Sequence, residues 1–98
     1  MSKMRLPYAP RGEMFALVKE LSGGSRLVAI CEDNKTRMIR IGGRLKKKVW
    51  VRQGDLLIIK KWTVQEDSKG DLVYRYVKTQ REVLKREGRL PENMDIEV

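Results

Sequence analysis

Among the sixteen residues from Arg37 to Arg52, seven are Lys or Arg, none is acidic, and Trp50 stands between two valines. Ammonium and guanidinium groups in such a run bind phosphates. Each contact releases condensed counterions, and the guanidinium adds a planar fork that pairs bidentately or stacks on a ring. An indole among them offers a surface for a nucleobase, a contact of about 1–3 kcal/mol. The candidate chemistry is polyanion binding, and the candidate residues are Arg37, Arg40, Arg44, Lys46, Lys47, Lys48, Trp50 and Arg52. Blander readings compete: a solvated charged face or a Lys-rich sorting signal for the run, and for Val49 to Val51 an apolar plug closing one end of a barrel.

The rest of the chain bears on that choice. Its 98 residues carry 22 Lys and Arg against 13 Asp and Glu, a net +9, and a field of that sign concentrates polyanions. A chain this short makes one domain and buries roughly 60–70% of its unfolded surface, room for a core but not for a deep enzyme cleft as well. Nucleic acid is favoured over an acidic membrane. No long basic amphipathic helix is evident, and the longest aliphatic run, Leu56 to Ile59, falls far short of a span of about 20 residues. The N-terminus has no apolar stretch of signal-peptide type.

Enzymatic chemistry lacks its parts. There is no histidine, no GxxxxGK loop and no GxGxxG turn, and Cys31 is the sole cysteine, so no internal disulfide forms and a reducing, intracellular setting is expected. The carboxylate pairs Glu32-Asp33 and Glu66-Asp67 fall in turns beside lysines, where such residues serve turn geometry. No catalytic, metal-binding or cofactor-binding residue is assigned, and no cofactor is expected.

Short alternating segments must position the basic run. Period-two patterning predicts strands over Glu13 to Leu21 (Met14, Ala16 and Val18 on one face), Arg26 to Cys31 (Leu27, Ala29, Cys31) and Thr36 to Ile41, where Ile39 and Ile41 point inward and Met38 and Arg40 outward. A fourth runs from Leu56 to Trp62 with Leu57 and Ile59 in the core, and a fifth from Asp71 to Lys78 with Leu72, Tyr74 and Tyr76 on one face. Phe15 and Leu17 lie opposite the presumed core, open either to RNA or to a second sheet, and receive no site role. Arg44 to Val51 lacks a strand period and predicts a short helical or irregular bridge. Five short strands with a helical bridge between the third and fourth point to an OB-fold, an all-β, five-stranded Greek-key barrel. A short helix follows the last strand. Thr79 to Glu82 fits a capping box, Gly88 a stop, and Val83, Leu84 and Leu90 a docking face. The organisation expected is a flexible basic N-terminal arm over 1–12, the barrel over 13–78, a C-terminal helix over 79–90 and an acidic tail over 91–98.

The order Gly12-Glu-Met-Phe-Ala, Arg26-Leu-Val-Ala-Ile-Cys, Arg37-Met-Ile-Arg-Ile-Gly-Gly-Arg-Leu-Lys-Lys-Lys-Val-Trp-Val, Gly54-Asp and Tyr74-Arg-Tyr closely resembles the translation initiation factor 1A family in its shorter archaeal form. The resemblance spans about residues 11 to 91, and its most specific part is the basic run. More distantly the chain is similar to bacterial initiation factor 1 and other S1-type OB domains. The family often has Lys in place of Arg44, which keeps the charge, and Asp-Gly in place of Asp33-Asn34, which touches only a turn. The resemblance implies binding to the ribosomal RNA of the small subunit at the A site, exclusion of elongator tRNA, and recruitment of initiator tRNA and mRNA. It places Arg40, Arg44, Lys46, Lys47, Lys48, Trp50 and Arg52 against ribosomal RNA. It also suggests a contact of the acidic tail with initiation factor 5B. The protein is expected to be a cytoplasmic monomer away from the ribosome, with no membrane partner.

Two other functions fit the composition: a general single-strand RNA binder or chaperone of cold-shock type, and a ribosome-bound protein adaptor whose basic face is incidental. If about five phosphates are contacted, the logarithm of affinity for the RNA target should fall against that of salt concentration with a slope of roughly −3.5 to −4.5. A titration across salt concentrations measures it, and a flat response contradicts an electrostatic interface.

Overall fold

The structure, a computed structural model, describes residues 5–46, 51–62 and 67–94. Five strands, β1 (Glu13–Leu21), β2 (Arg26–Cys31), β3 (Thr36–Arg40), β4 (Leu56–Lys61) and β5 (Lys69–Arg75), close into a barrel in the order β1-β2-β3-β5-β4. A short helix α1 (Gly43–Lys46) follows β3 and a longer one, α2 (Lys78–Arg86), follows β5. Every neighbouring pair is antiparallel except β3 with β5, which is parallel. This is the OB-fold.

Alternation in the first three strands places the residues that the sequence predicts. Ala16, Val18, Leu27, Ala29, Cys31, Ile39, Leu57, Ile59 and Leu72 fill the barrel, with Ile41, Leu45 of α1 and Val51 packed against them. Of Val49 to Val51, for which an apolar plug is one reading, Val51 packs against this core, as does Leu45, while Val49 and Trp50 lie outside the described residues. The turn at 32–35 uses Asn34 at φ +68°, a left-handed position that Asn tolerates.

A second core lies on the outside of β1 and β4. Phe15, Leu17, Leu56 and Ile58 are buried there beneath Leu84 of α2, Met94 and Tyr76. Phe15 and Leu17 are therefore covered by the C-terminal segment and are closed to RNA. The expected common face of Leu72, Tyr74 and Tyr76 is broken by a register shift between Ile58 and Ile59, where Ile58 pairs with Tyr74 but Ile59 with Leu72. An extra residue turns the following side chains over. Leu72 stays inside the barrel, and Tyr74 and Tyr76 join the outer core.

The parallel pair is the narrowest closure: Met38 against Lys69, Ile39 against Gly70, Arg40 against Asp71. Gly70 is required by proximity. A Cβ there would stand 2.9 Å from the Lys60 carbonyl oxygen and 3.2 Å from the Ile39 Cδ1.

The chain ends are tied to the barrel over much of their length. The predicted flexible arm is anchored within residues 5 to 12: Arg5 pairs with the buried Glu13 at 3.0 Å, the Tyr8 amide donates to the same carboxylate, and Tyr76 Oη donates to the Arg5 carbonyl. The helix starts two residues before the capping box predicted at Thr79, and its N-cap has no side-chain acceptor. Val77 is the N-cap, and Gln80 reaches back to accept from its amide at 3.0 Å while donating from Nε2 to Tyr74 Oη at 2.8 Å. Gly88 does end the helix, with a left-handed φ of +68°. Its amide donates to the Lys85 carbonyl and that of Arg89 to the Leu84 carbonyl, a Schellman arrangement. The predicted acidic tail is not free at its start. Glu92–Met94 forms a 3-10 turn that buries Met94 fully, and Asn93 Nδ2 donates to Asn34 Oδ1 at 2.9 Å.

A helix of nine residues does not persist alone in water, so α2 depends on Leu84. Leu84→Ala should cost about 2–5 kcal/mol of unfolding free energy, measured by urea denaturation, because it opens a cavity between helix and barrel.

Candidate nucleic-acid interface

The eight candidate residues divide once placed on the barrel. Arg37 goes inside. Its side chain is 1% exposed, and each of its five N–H groups has an acceptor: Nε donates to the Asp67 carbonyl (2.7 Å), Nη1 to Asp33 Oδ1 (2.9 Å) and Met14 Sδ (3.6 Å), Nη2 to Asp33 Oδ2 and Asp67 Oδ1 (both 2.8 Å). This corrects its assignment to the RNA face. Arg37 shares the parity of Ile39, the inward one, and a cation on that face demands buried partners. The carboxylate pairs Glu32-Asp33 and Glu66-Asp67 are the signal in the sequence that such partners exist, since Asp33 and Asp67 are the two carboxylates it uses.

The cluster holds its charges firmly. Arg37 holds the Asp33 carboxyl below its usual range, and Lys35 together with Arg37 brings Asp67 down to about 2. The same contacts raise the Arg37 value despite its burial. Cys31, inside the barrel as predicted, has its thiol pushed up by burial, with Arg37 beside it acting in the opposite direction.

Arg40, Arg44 and Arg52 are exposed. Arg40 projects from the outer face of β3, its Nε donating to Asp71 Oδ1 at 3.0 Å. Arg44 belongs to α1, whose Leu45 is held on the barrel core, so the helix is fixed while its charge is displayed. Arg52 opens the turn into β4, where its amide donates to Asp55 Oδ2 at 2.8 Å and its carbonyl accepts from the Asp55 amide. That turn is clamped to β1 by Gly54 N–H to the Val18 carbonyl, and to α2 by Arg81 Nη1 to the Gly54 carbonyl at 2.7 Å. The end of β3 pairs with the start of β2, which pairs with the end of β1, and the start of β4 pairs with the later half of β1, so Arg44 and Arg52 are carried toward the same end of the barrel. Lys46 is the last residue of α1, and Lys47, Lys48 and Trp50 lie outside the described residues.

Residues distant in sequence join this surface. The β2–β3 register sets Arg26 opposite Arg40, and Trp62, just past β4, brings its ring beside Arg40. Lys60 and Lys69 are exposed on the neighbouring strands. Arg26, Lys60 and Lys69 are absent from the candidates because isolated charges are a weak signal, and Trp62 because an indole at a strand end reads as structural or rim packing. Only the outward parity of Lys60 and Trp62, alternating with the buried Ile59, hinted at a shared face. The arrangement suits phosphate binding: an end of the barrel and an adjoining strand face present cations on supports fixed by core packing.

Comparison with known proteins agrees with this architecture. The family model described as Translation initiation factor 1A / IF-1 matches residues 2–98. A Translation initiation factor 1A of Picrophilus torridus is 49% identical over 90 residues, covering 92% of this chain and 82% of that protein. One from Thermoplasma acidophilum is 50% identical over 91 residues, covering 93% and 76%, and one from Thermococcus kodakarensis is 38% identical over 91 residues, covering 93% and 78%. Among solved structures, the solution structure of translation initiation factor 1 from the Wolbachia endosymbiont of Brugia malayi superposes with a TM-score of 0.53 at 15% identity, covering 74% of this chain and 85% of that one, a likeness of fold.

The carboxylate values fix a pH test of the Arg37 cluster. Both acids have depressed values in the folded state, so the stability they contribute is present above pH about 4 and lost as pH falls toward 2. Arg37→Met should lower stability at neutral pH by about 1–3 kcal/mol and flatten that acid limb, Asp67 keeping the part due to Lys35. Denaturant titrations from pH 2 to 7 measure both. With its sequence matched from end to end and its strands closed in the OB order, the chain belongs to the translation initiation factor 1A / IF-1 family.

Proposed function

We propose that the protein acts in translation initiation by binding ribosomal RNA at the A site of the small ribosomal subunit, excluding elongator tRNA and promoting recruitment of initiator tRNA and mRNA. The observation that carries this reading is the exposed set Arg40, Arg44 and Arg52, held on β3, α1 and the turn before β4 of a barrel of this family. Lys46, Lys47, Lys48 and Trp50 continue the basic run in sequence and belong to the proposed contact. The interaction is non-enzymatic and uses phosphate contacts and shape on folded RNA without reading a sequence. No cofactor is needed, and the protein works as a cytoplasmic monomer when off the ribosome.

A contact of the acidic C-terminal stretch with initiation factor 5B belongs to the same reading, with Glu92 exposed for it. Met94 is buried and Asn93 is bonded to the 32–35 turn, so neither of these side chains is open to that factor. The basic face does not depend on it.

Chemical footprinting of small-subunit RNA tests the proposal. Wild-type protein should protect the decoding region at one copy per subunit and spare large subunits. Arg40→Glu with Arg44→Glu should weaken binding at least tenfold, about 1.4 kcal/mol, and erase the protections. Diffuse protection, with equal affinity for short unstructured RNAs, would favour a general RNA chaperone. Undiminished binding by the double variant would favour a protein adaptor.

A further inference from the structure

Between them the strand registers set Arg26 of β2 opposite Arg40 of β3, Arg40 beside Asp71 of β5, and Asp71 opposite Lys60 of β4. Trp62 lies over this row. The Arg40 guanidinium carbon is 5.5 Å and Lys69 Nζ 5.6 Å from its ring centroid, within the reach of a cation–π attraction. Trp62 is itself fixed, because its amide donates to the Lys69 carbonyl at 3.0 Å, extending the β4–β5 pairing by one step. Arg40 is therefore restrained twice, by the ring against its guanidinium and by Asp71 on its Nε, while its side chain stays 61% exposed. Among the described residues no acceptor meets its terminal Nη groups, which are left for one from outside.

An arginine on a strand surface otherwise gives up much rotamer freedom when it binds phosphate, and a site whose geometry is set beforehand avoids that loss. With two cations at cation–π distance, the ring serves as their brace. The chemistry left open is a phosphodiester meeting the Arg40 fork, with Arg26, Lys60 and Lys69 supplying positive field around it.

We propose that Trp62 is a positioning residue for RNA binding, which holds Arg40 and Lys69 so that the outer face of β3 carries a preset phosphodiester site. This rests on the reading of the protein as a ribosomal-RNA binder, and adds to it a role for a residue outside the basic run. Trp62 acts through its π face, with its apolar bulk secondary.

The test compares Trp62→Phe, Trp62→Leu and Arg40→Ala, each alone and with Trp62→Leu added to Arg40→Ala/Lys69→Ala, in binding to purified archaeal small ribosomal subunits across salt concentrations. Thermal unfolding of each variant serves as a control. Trp62→Phe keeps a π face and should bind within about twofold of wild type, whereas Trp62→Leu keeps the bulk alone and should bind about three- to tenfold more weakly. Arg40→Ala should reduce the magnitude of the salt slope by about 0.7–0.9. In the Arg40→Ala/Lys69→Ala background Trp62→Leu should have little further effect. Equal binding by the Phe and Leu variants overturns the inference, as does a full Trp62→Leu loss in the doubly substituted background, which would mean that the ring touches RNA itself. An unchanged salt slope for Arg40→Ala overturns it too. Failure of the wild-type protein to bind small subunits would instead remove the ribosomal reading.

Discussion

The barrel depends on one buried cation. Arg37 joins three places that the chain otherwise connects weakly: the 32–35 turn through Asp33, the start of β1 through Met14, and the segment before β5 through both the carbonyl and carboxylate of Asp67. The parallel pairing of β3 with β5, which closes the barrel, spans three residue pairs, and the Met38 amide extends it to the Ser68 carbonyl. A contact so short needs support beside it. The Arg37–Asp67 bonds give that support at the point where β5 enters, and Gly70 lets the strands approach. A guanidinium in this position cannot be left half-satisfied, since an unpaired buried charge is strongly destabilising. With all five donors used, it becomes a fixed joint.

Closure of the barrel determines which surface remains for a partner. The outer sides of β1 and β4 are covered by α2 and the 92–94 turn, which bury Phe15, Leu17, Leu56 and Ile58 in a second core. The outer face around β3 keeps exposed cations, and the barrel end beside it carries α1 and the turn before β4. Apolar contacts therefore position the polar surface. Leu45 and Val51 anchor the two segments that display Arg44 and Arg52, and neither arginine has to be ordered by its own contacts. Arg40 differs in being braced directly, by Trp62 and Asp71.

How much was readable in advance follows from the range of the interactions involved. Strand alternation in β1 to β3 is local and placed Ala16, Leu27, Ala29, Cys31 and Ile39 correctly. The face of Tyr74 and Tyr76 was misread because a register shift is a property of the paired strand, absent from the strand's own pattern. The helix start moved from Thr79 to Val77 because Gln80 serves both the Val77 amide and Tyr74, a contact that exists only once β5 and α2 meet. Arg37 shows the same division within the candidate site. Its charge put it with the phosphate ligands, while its parity with Ile39 put it in the interior, and the interior prevailed because Asp33 and Asp67 converge there.

The class of fold and the family were legible in the chain alone, since alternation and residue order need no three-dimensional information. Packing of the strands against one another settled which cations serve the fold and which face outward. Charge is carried by every lysine and arginine alike, but burial depends on what the other strands bring to the same place. Arg37 found two carboxylates there, and Arg40 found an indole, a carboxylate and open solvent.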